Sequence, residues 1–343
     1  MLKTRARQIY SFFLIISLFS CVRTDRVDVS HVDVDIRIER FDRALDSLTQ
    51  TNVIIKNREW LQRYGYFYAD YMQYMLEAGN PLDSVQLTST LQTVIATEDF
   101  NALKASVYEI YPDMGKQEAG LTEAFRHLKY YFPLIDIPRI IAFFSGFAVQ
   151  TPVGEDYIGI GLDMFLGSDS KFYPALRGSI PHYISRRFTP ENIVPRVVES
   201  YVRENLFQQD GLDASLLQHM VYHGKVMYVM EQVMPDVADS LMIGYTTDQW
   251  KWANHFERDI WAWFLQEKLL YEADYNRIQK YLGAAPFTPE LGEQNESAPK
   301  LGVFIGWKMV QAYMDRNPDV SLSELLDTKD AQKILDESRY RGG

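Results

Sequence analysis

Residues 213–235 read DASLLQHMVYHGKVMYVMEQVMP, and within them Gln218–Lys225 read QHMVYHGK. The segment is apolar nearly all round a helix, with Met220, Met227, Met230 and Met234 as core fillers, so it is expected to be buried. Gly224 falls mid-helix, where glycine costs about 1 kcal/mol relative to alanine, which points to tight packing against that turn. His219 and His223 lie four apart and share a helix face, as the zinc ligands of H-E-x-x-H peptidases do. Met220 stands where the catalytic glutamate should be, so the usual base for a metal-bound water is missing. Two interpretations stay open: a metal-binding pair, or two buried histidines hydrogen-bonded to backbone or tyrosine.

Around this helix the pattern is mostly helical. Asn57–Met75 carries Trp60, Leu61, Tyr64, Phe67, Tyr68, Tyr71 and Met75 at helical spacing, and 87–95 and 121–132 read similarly. ENIVPRVVESYVRENLF (191–207) predicts a helix capped by Asn192 with Pro195 in its first turn. TTDQWKWANHFERDIWAWFLQEKLLY (246–271) predicts one long helix with four of the six tryptophans. His255 and Asp259 are four apart in it, read as a surface ion pair, although either, or Glu257, could supply a third metal ligand. PKLGVFIGWKMVQAYM (299–314) places Pro299 in a first turn, and Gly302 and Gly306 four apart invite close approach of another element. Ser321 and Glu324 form a capping box.

Three β-rich runs interrupt the helices. VDVDIRIERFD (32–42) alternates apolar and polar residues; RIIAFFSGFAVQ (139–150) and YIGIGLDMFLG (157–167) are bounded by proline and glycine. All three are expected in one sheet. Gly159 and Gly161 mark a place where another backbone comes close.

The start of the chain has a different character. Lys3, Arg5 and Arg7 precede an apolar run, Ile9–Phe19, too short to span a bilayer but of signal-peptide length. It ends LFSC, and Cys21 is the only cysteine. A lone thiol exported to an oxidising compartment has no disulfide partner, so lipidation explains it best. The expectation is a lipoprotein signal peptide over 1–20, a diacylated Cys21 and a polar tether over 21–31. No acidic run follows the cysteine, which favours a periplasm-facing protein. Apolar content of 47% and a net charge of −11 argue for a real core and against nucleic-acid partners. No Walker loop, G-x-S-x-G or dinucleotide fingerprint is present.

Taken together, these segments resemble the gliding-motility lipoprotein GldB family. The matching pieces are VDVDIRIERFD, YIGIGLDMFLGSDSKFYP, IPHYISRRFTPENIVP, HGKVMYVMEQVMPD with its follower IGYT, and PKLGVFIGWKMVQAYM. That family is similar in turn to predicted zinc peptidases, in which an H-E-x-x-H helix follows an edge strand and an E-G pair on the next helix gives the third ligand. Carried over, Val198-Glu199-Ser200-Tyr201-Val202 keeps the glutamate but has valines at both ligand positions. The E-G pair falls on His223-Gly224, followed by Lys225.

The resemblance implies an α+β fold, mainly α-helical with a small β-sheet, on a degenerate zinc-metallopeptidase-like (gluzincin-like) scaffold with no metal or other cofactor. Residues 32–343 would form one domain, helical to about 135 and peptidase-like from 136. The implied role is a non-catalytic, membrane-anchored component of the gliding and associated secretion machinery, with other envelope proteins as partners. A former substrate cleft beside 157–167, lined by Glu199 and Lys225, would bind an extended peptide by strand addition. Two alternatives are an active zinc hydrolase using His219, His223 and Glu257 or Asp259, and a structural envelope protein docking through its tryptophan-rich helix.

Overall fold

Three short parallel strands tie the early chain to its middle: β1 (Ile38–Arg40), β2 (Arg139–Phe143) and β3 (Tyr157–Gly161), in the order β1-β2-β3. Ile38 pairs with Ile140, and Ala142 with Ile160. The computed structural model describes residues 27–49, 51–79, 84–209, 214–291 and 296–343, except for the side chains of 84–88. Cys21 and its flanks lie outside the described residues.

The sheet is smaller than the sequence pattern suggests, for an identifiable reason. Val34, Ile36 and Ile38 are buried as their alternation requires, but upstream of Ile38 the backbone pairs with a helix instead of a strand. Ile36 N–H donates to Thr122 Oγ1 (3.0 Å) and Ile38 N–H to Glu118 Oε1 (2.9 Å). Arg126 Nε donates to the Val34 carbonyl (3.1 Å). All three side chains come from the helix Gly115–Tyr131.

β3 is buried at every position, as expected for a parallel strand covered on both faces. Its outer edge is sealed by the chain just before it. Gly154 N–H donates to the Tyr157 carbonyl (2.9 Å), while Gly159 and Gly161 N–H donate to the Pro152 and Gln150 carbonyls (both 2.8 Å). A Cβ on Gly161 would lie 2.3 Å from the Val149 carbonyl oxygen, so the predicted close approach is real. This corrects one expectation: β3 has no free edge for strand addition by a peptide. A short, all-parallel sheet with a sealed edge gives no support to a gluzincin-like scaffold.

Aromatic packing covers the sheet. Phe67, on the helix Val53–Asp70, meets Phe143 and Tyr157 edge-on at 5.4 and 5.2 Å, and Phe41 sits among Trp60, Tyr64, Phe67 and Tyr71.

The second half is organised by two helices, Leu216–Val233 and Leu301–Arg316. They cross backbone to backbone at their glycines. A Cβ on Gly224 would stand 2.3 Å from the Gly306 carbonyl oxygen, and one on Gly306 would stand 1.9 Å from that of Met220. Leu301–Arg316 starts later than its proline suggests: Pro299 lies outside, and Lys300 caps the helix in a left-handed conformation (φ 55°). The helix Ile193–Tyr201 follows a short turn ending at Asn192, whose side-chain amide donates to Thr189 Oγ1 instead of capping.

The tryptophan-rich segment is two helices, Thr247–His255 and Glu257–Gln266, broken at Phe256. The break removes the helical register between His255 and Asp259, and no ion pair joins them; the His255 ring packs on Phe256 at 4.6 Å. Trp261 is buried, and Trp250, Trp252 and Trp263 are half-buried. Among the described residues no helix is long and apolar enough to cross a membrane.

Candidate functional site

Glu199 lies near the end of Ile193–Tyr201, with Arg196 three residues before it and Arg203 four after, so all three share a helix face. Arg196 Nη1 reaches Glu199 Oε2 at 2.6 Å and Arg203 Nε reaches Oε1 at 3.0 Å, one guanidinium to each oxygen. Arg203 belongs to Val202–Leu206, where the helix widens by one residue per turn. From there its Nη2 donates to His223 Nδ1 at 3.3 Å, and its guanidinium lies over the Tyr222 ring.

Two more cations meet this group at the turn Ile243–Gly244. Lys300 Nζ donates to the Ile243 carbonyl at 3.2 Å. The Arg187 guanidinium rests on Gly244, so closely that a Cβ there would be 2.1 Å from Arg187 Cζ. Arg186 adds a bond to the Gly244 carbonyl (3.0 Å) and one to Gln249 Oε1 (3.1 Å). Arg187 Nε and Arg196 Nε are buried with no hydrogen-bond partner among the described residues.

The electrostatics follow from this crowding. Burial works to raise the Glu199 carboxyl, yet Arg196 and Arg203, with Lys300 and Arg187 behind them, hold it well below the usual carboxylate range. Burial and the adjacent Arg203 push His223 down to about 3, so its imidazole is neutral at pH 7. Burial, reinforced by Arg196, lowers Arg187 to about 10. Lys300 is forced well below its ordinary value by burial and by Arg187. A carboxylate pinned in this way is a weak base, and a neutral histidine whose Nδ1 already accepts from Arg203 is poorly placed to take a proton.

Lys225 goes elsewhere. Its ammonium caps the end of the helix Leu322–Asp327 by donating to the carbonyls of Leu326 and Thr328, and it lies over the Phe207 ring at 5.1 Å. Burial, opposed by Asp327, lowers it to about 8. With His219 and Tyr222 it lines a separate cleft of about 420 Å³. Gln209 donates to His219 Nδ1 at 2.6 Å. The structure therefore links Glu199 and His223 through Arg203 and places Lys225 and His219 in the neighbouring cleft. Gly224 is neither: it is the helix-crossing point.

No metal centre assembles around the histidines. Among the described residues no three His, Cys, Asp or Glu side chains are placed to hold an ion. Glu257 instead accepts from the Tyr340 hydroxyl at 2.8 Å. The nearest charge to His223 is the Arg203 guanidinium, which would repel a dication.

Sequence reading missed Arg187, Arg196, Arg203 and Lys300. The spacing of Arg196 and Arg203 about Glu199 was a usable signal; nothing local links Arg187 and Lys300 to it. Asp163 was also missed. Fully buried, it accepts from Ser145 N–H (2.7 Å), Ser145 Oγ (2.8 Å) and Phe147 N–H (2.5 Å), fastening the loop after β2 to the end of β3.

No curated protein and no solved structure matches this chain. A family model described as gliding motility protein GldB matches residues 23–342. Because that match spans nearly the whole sequence, the chain belongs to the gliding motility protein GldB family.

Proposed function

We propose that this protein is a lipid-anchored component of the gliding and associated secretion machinery that works by binding, without catalysis. The anchor is Cys21, and the folded part faces the periplasm. The observation that carries the non-catalytic half is the clamp on Glu199, both of whose oxygens are taken by Arg196 and Arg203. A zinc hydrolase of the H-E-x-x-H kind needs its glutamate free to take a proton from a metal-bound water. Here that position is saturated by cations. Family membership supports the envelope role. The bound partner contacts the charged site beside Glu199, since the edge of β3 is closed to an added strand.

The purified full chain, supplied with zinc and a peptide library, is expected to release no cleaved peptide. In cells, Cys21→Ser is expected to move the chain from the membrane fraction to the soluble one. Zinc-dependent cleavage abolished by Glu199→Gln would overturn the binding role, and unchanged membrane retention of Cys21→Ser would overturn the anchor.

A further inference from the structure

We propose that the cation cluster around Glu199 and the Ile243–Gly244 turn is a binding site for an oxyanion, a carboxylate or phosphate group, held by Arg187, Arg196, Arg203 and Lys300. The inference rests on the non-catalytic role above and names the ligand chemistry of that same site.

Charge balance carries it first. One carboxylate serves three guanidiniums and an amine, leaving at least two positive charges in excess. Arg196 and Arg203 share Glu199, whereas Arg187 and Lys300 have no carboxylate of their own among the described residues. Uncompensated charge in a buried setting is destabilising and is normally paired. Unsatisfied donors point the same way: Arg187 Nε and Arg196 Nε are buried without acceptors among the described residues, and most buried polar groups in folded proteins find one. An oxyanion brings several acceptor lone pairs and negative charge together, and guanidinium forks match its geometry.

The site is also built and reachable. Arg187 packs on Gly244, and Lys300 is fastened to Ile243. Lys300 holds a left-handed backbone (φ 55°), uncommon for a residue with a side chain, and so aims its amine at the turn at some conformational cost. Solvent still reaches the group: side-chain exposure is 16% for Glu199, 23% for Arg203 and 29% for Arg196.

The test is thermal unfolding of the lipidated full chain in detergent, with sodium phosphate or sodium acetate titrated against sodium chloride at constant ionic strength. Phosphate stabilises proteins generally by exclusion from their surface, so Lys300→Met and Arg187→Gln are run in parallel. The wild type should gain on the order of 5 °C near saturation, and both variants should lose that gain relative to chloride. Without added oxyanion, Lys300→Met should melt no lower than the wild type, because it removes a buried charge from among cations.

A rise with phosphate alone assigns a phosphoryl group; a rise with acetate as well assigns a carboxylate-sized site. No rise above chloride, or an equal rise in both variants, overturns the proposal and leaves an adventitious ion only. A failure of the binding role appears differently, as peptide cleavage that phosphate inhibits.

Discussion

His223 is kept neutral by burial and by Arg203, and that has a pH signature with a definite sign. Its folded pKa is about 3, against about 6.5 in an unfolded chain. Between those values the unfolded state binds a proton that the folded state refuses, so stability is full above about pH 6.5 and falls as pH drops. The slope from this group is at most about 1.4 kcal/mol per pH unit. His219, also lowered by burial, adds in the same direction, whereas Glu199 contributes only below about pH 4.3. His223→Asn, whose carbonyl can still accept from Arg203, is expected to flatten the loss between about pH 6.5 and 5, read as urea midpoints. An unchanged slope would mean that His223 is solvated and titrates normally. At this scale the sequence was half legible: the histidine pair stood out, and Arg196 and Arg203 flank Glu199 at helical spacing. Arg187 and Lys300 are 113 residues apart and meet only because a turn near Gly244 receives both.

The element on which the second half depends is the crossing of Leu216–Val233 with Leu301–Arg316. Alanine at Gly306 would put its Cβ 1.9 Å from the Met220 carbonyl oxygen, and at Gly224 2.3 Å from that of Gly306. The helices would have to separate. Better helix propensity gains about 1 kcal/mol, but overpacking against backbone belongs at the upper end of its usual range, about 3 kcal/mol, so both variants should be destabilised by about 2 kcal/mol in urea unfolding. Gly178→Ala, with nothing within 4 Å of the new Cβ, should change stability by less than about 0.5 kcal/mol. Equal stability of Gly306→Ala and wild type would mean that the helices do not touch there. These glycines were readable because a glycine inside an apolar helix needs a reason. Phe256 was not: no glycine or proline announces the break between the tryptophan-bearing helices. Nor was the length of β1, since alternation reports which residues are buried and not whether the hydrogen-bond partner is a strand or the side chains of Thr122 and Glu118.

For the whole molecule, scattered motifs pointed to the GldB family, which the match over residues 23–342 shows. The mainly helical fold with a small sheet was likewise legible. Among the described residues Glu199 and Lys225 do not line one groove along β3, because β3 is sealed by residues 150–154 and Lys225 caps another helix. What remains is a scaffold that gathers cations around one carboxylate, and whether Glu199 can serve as a catalytic base turns on its proton affinity. That affinity is directly measurable by carbon NMR of selectively labelled glutamate carboxyls, with Glu199→Gln identifying the resonance. Clamped by Arg196 and Arg203, Glu199 should stay ionised at about pH 4, where an ordinary glutamate is mostly protonated. A titration midpoint at or above about 5 would mean a carboxylate free to take a proton, and would contradict the account.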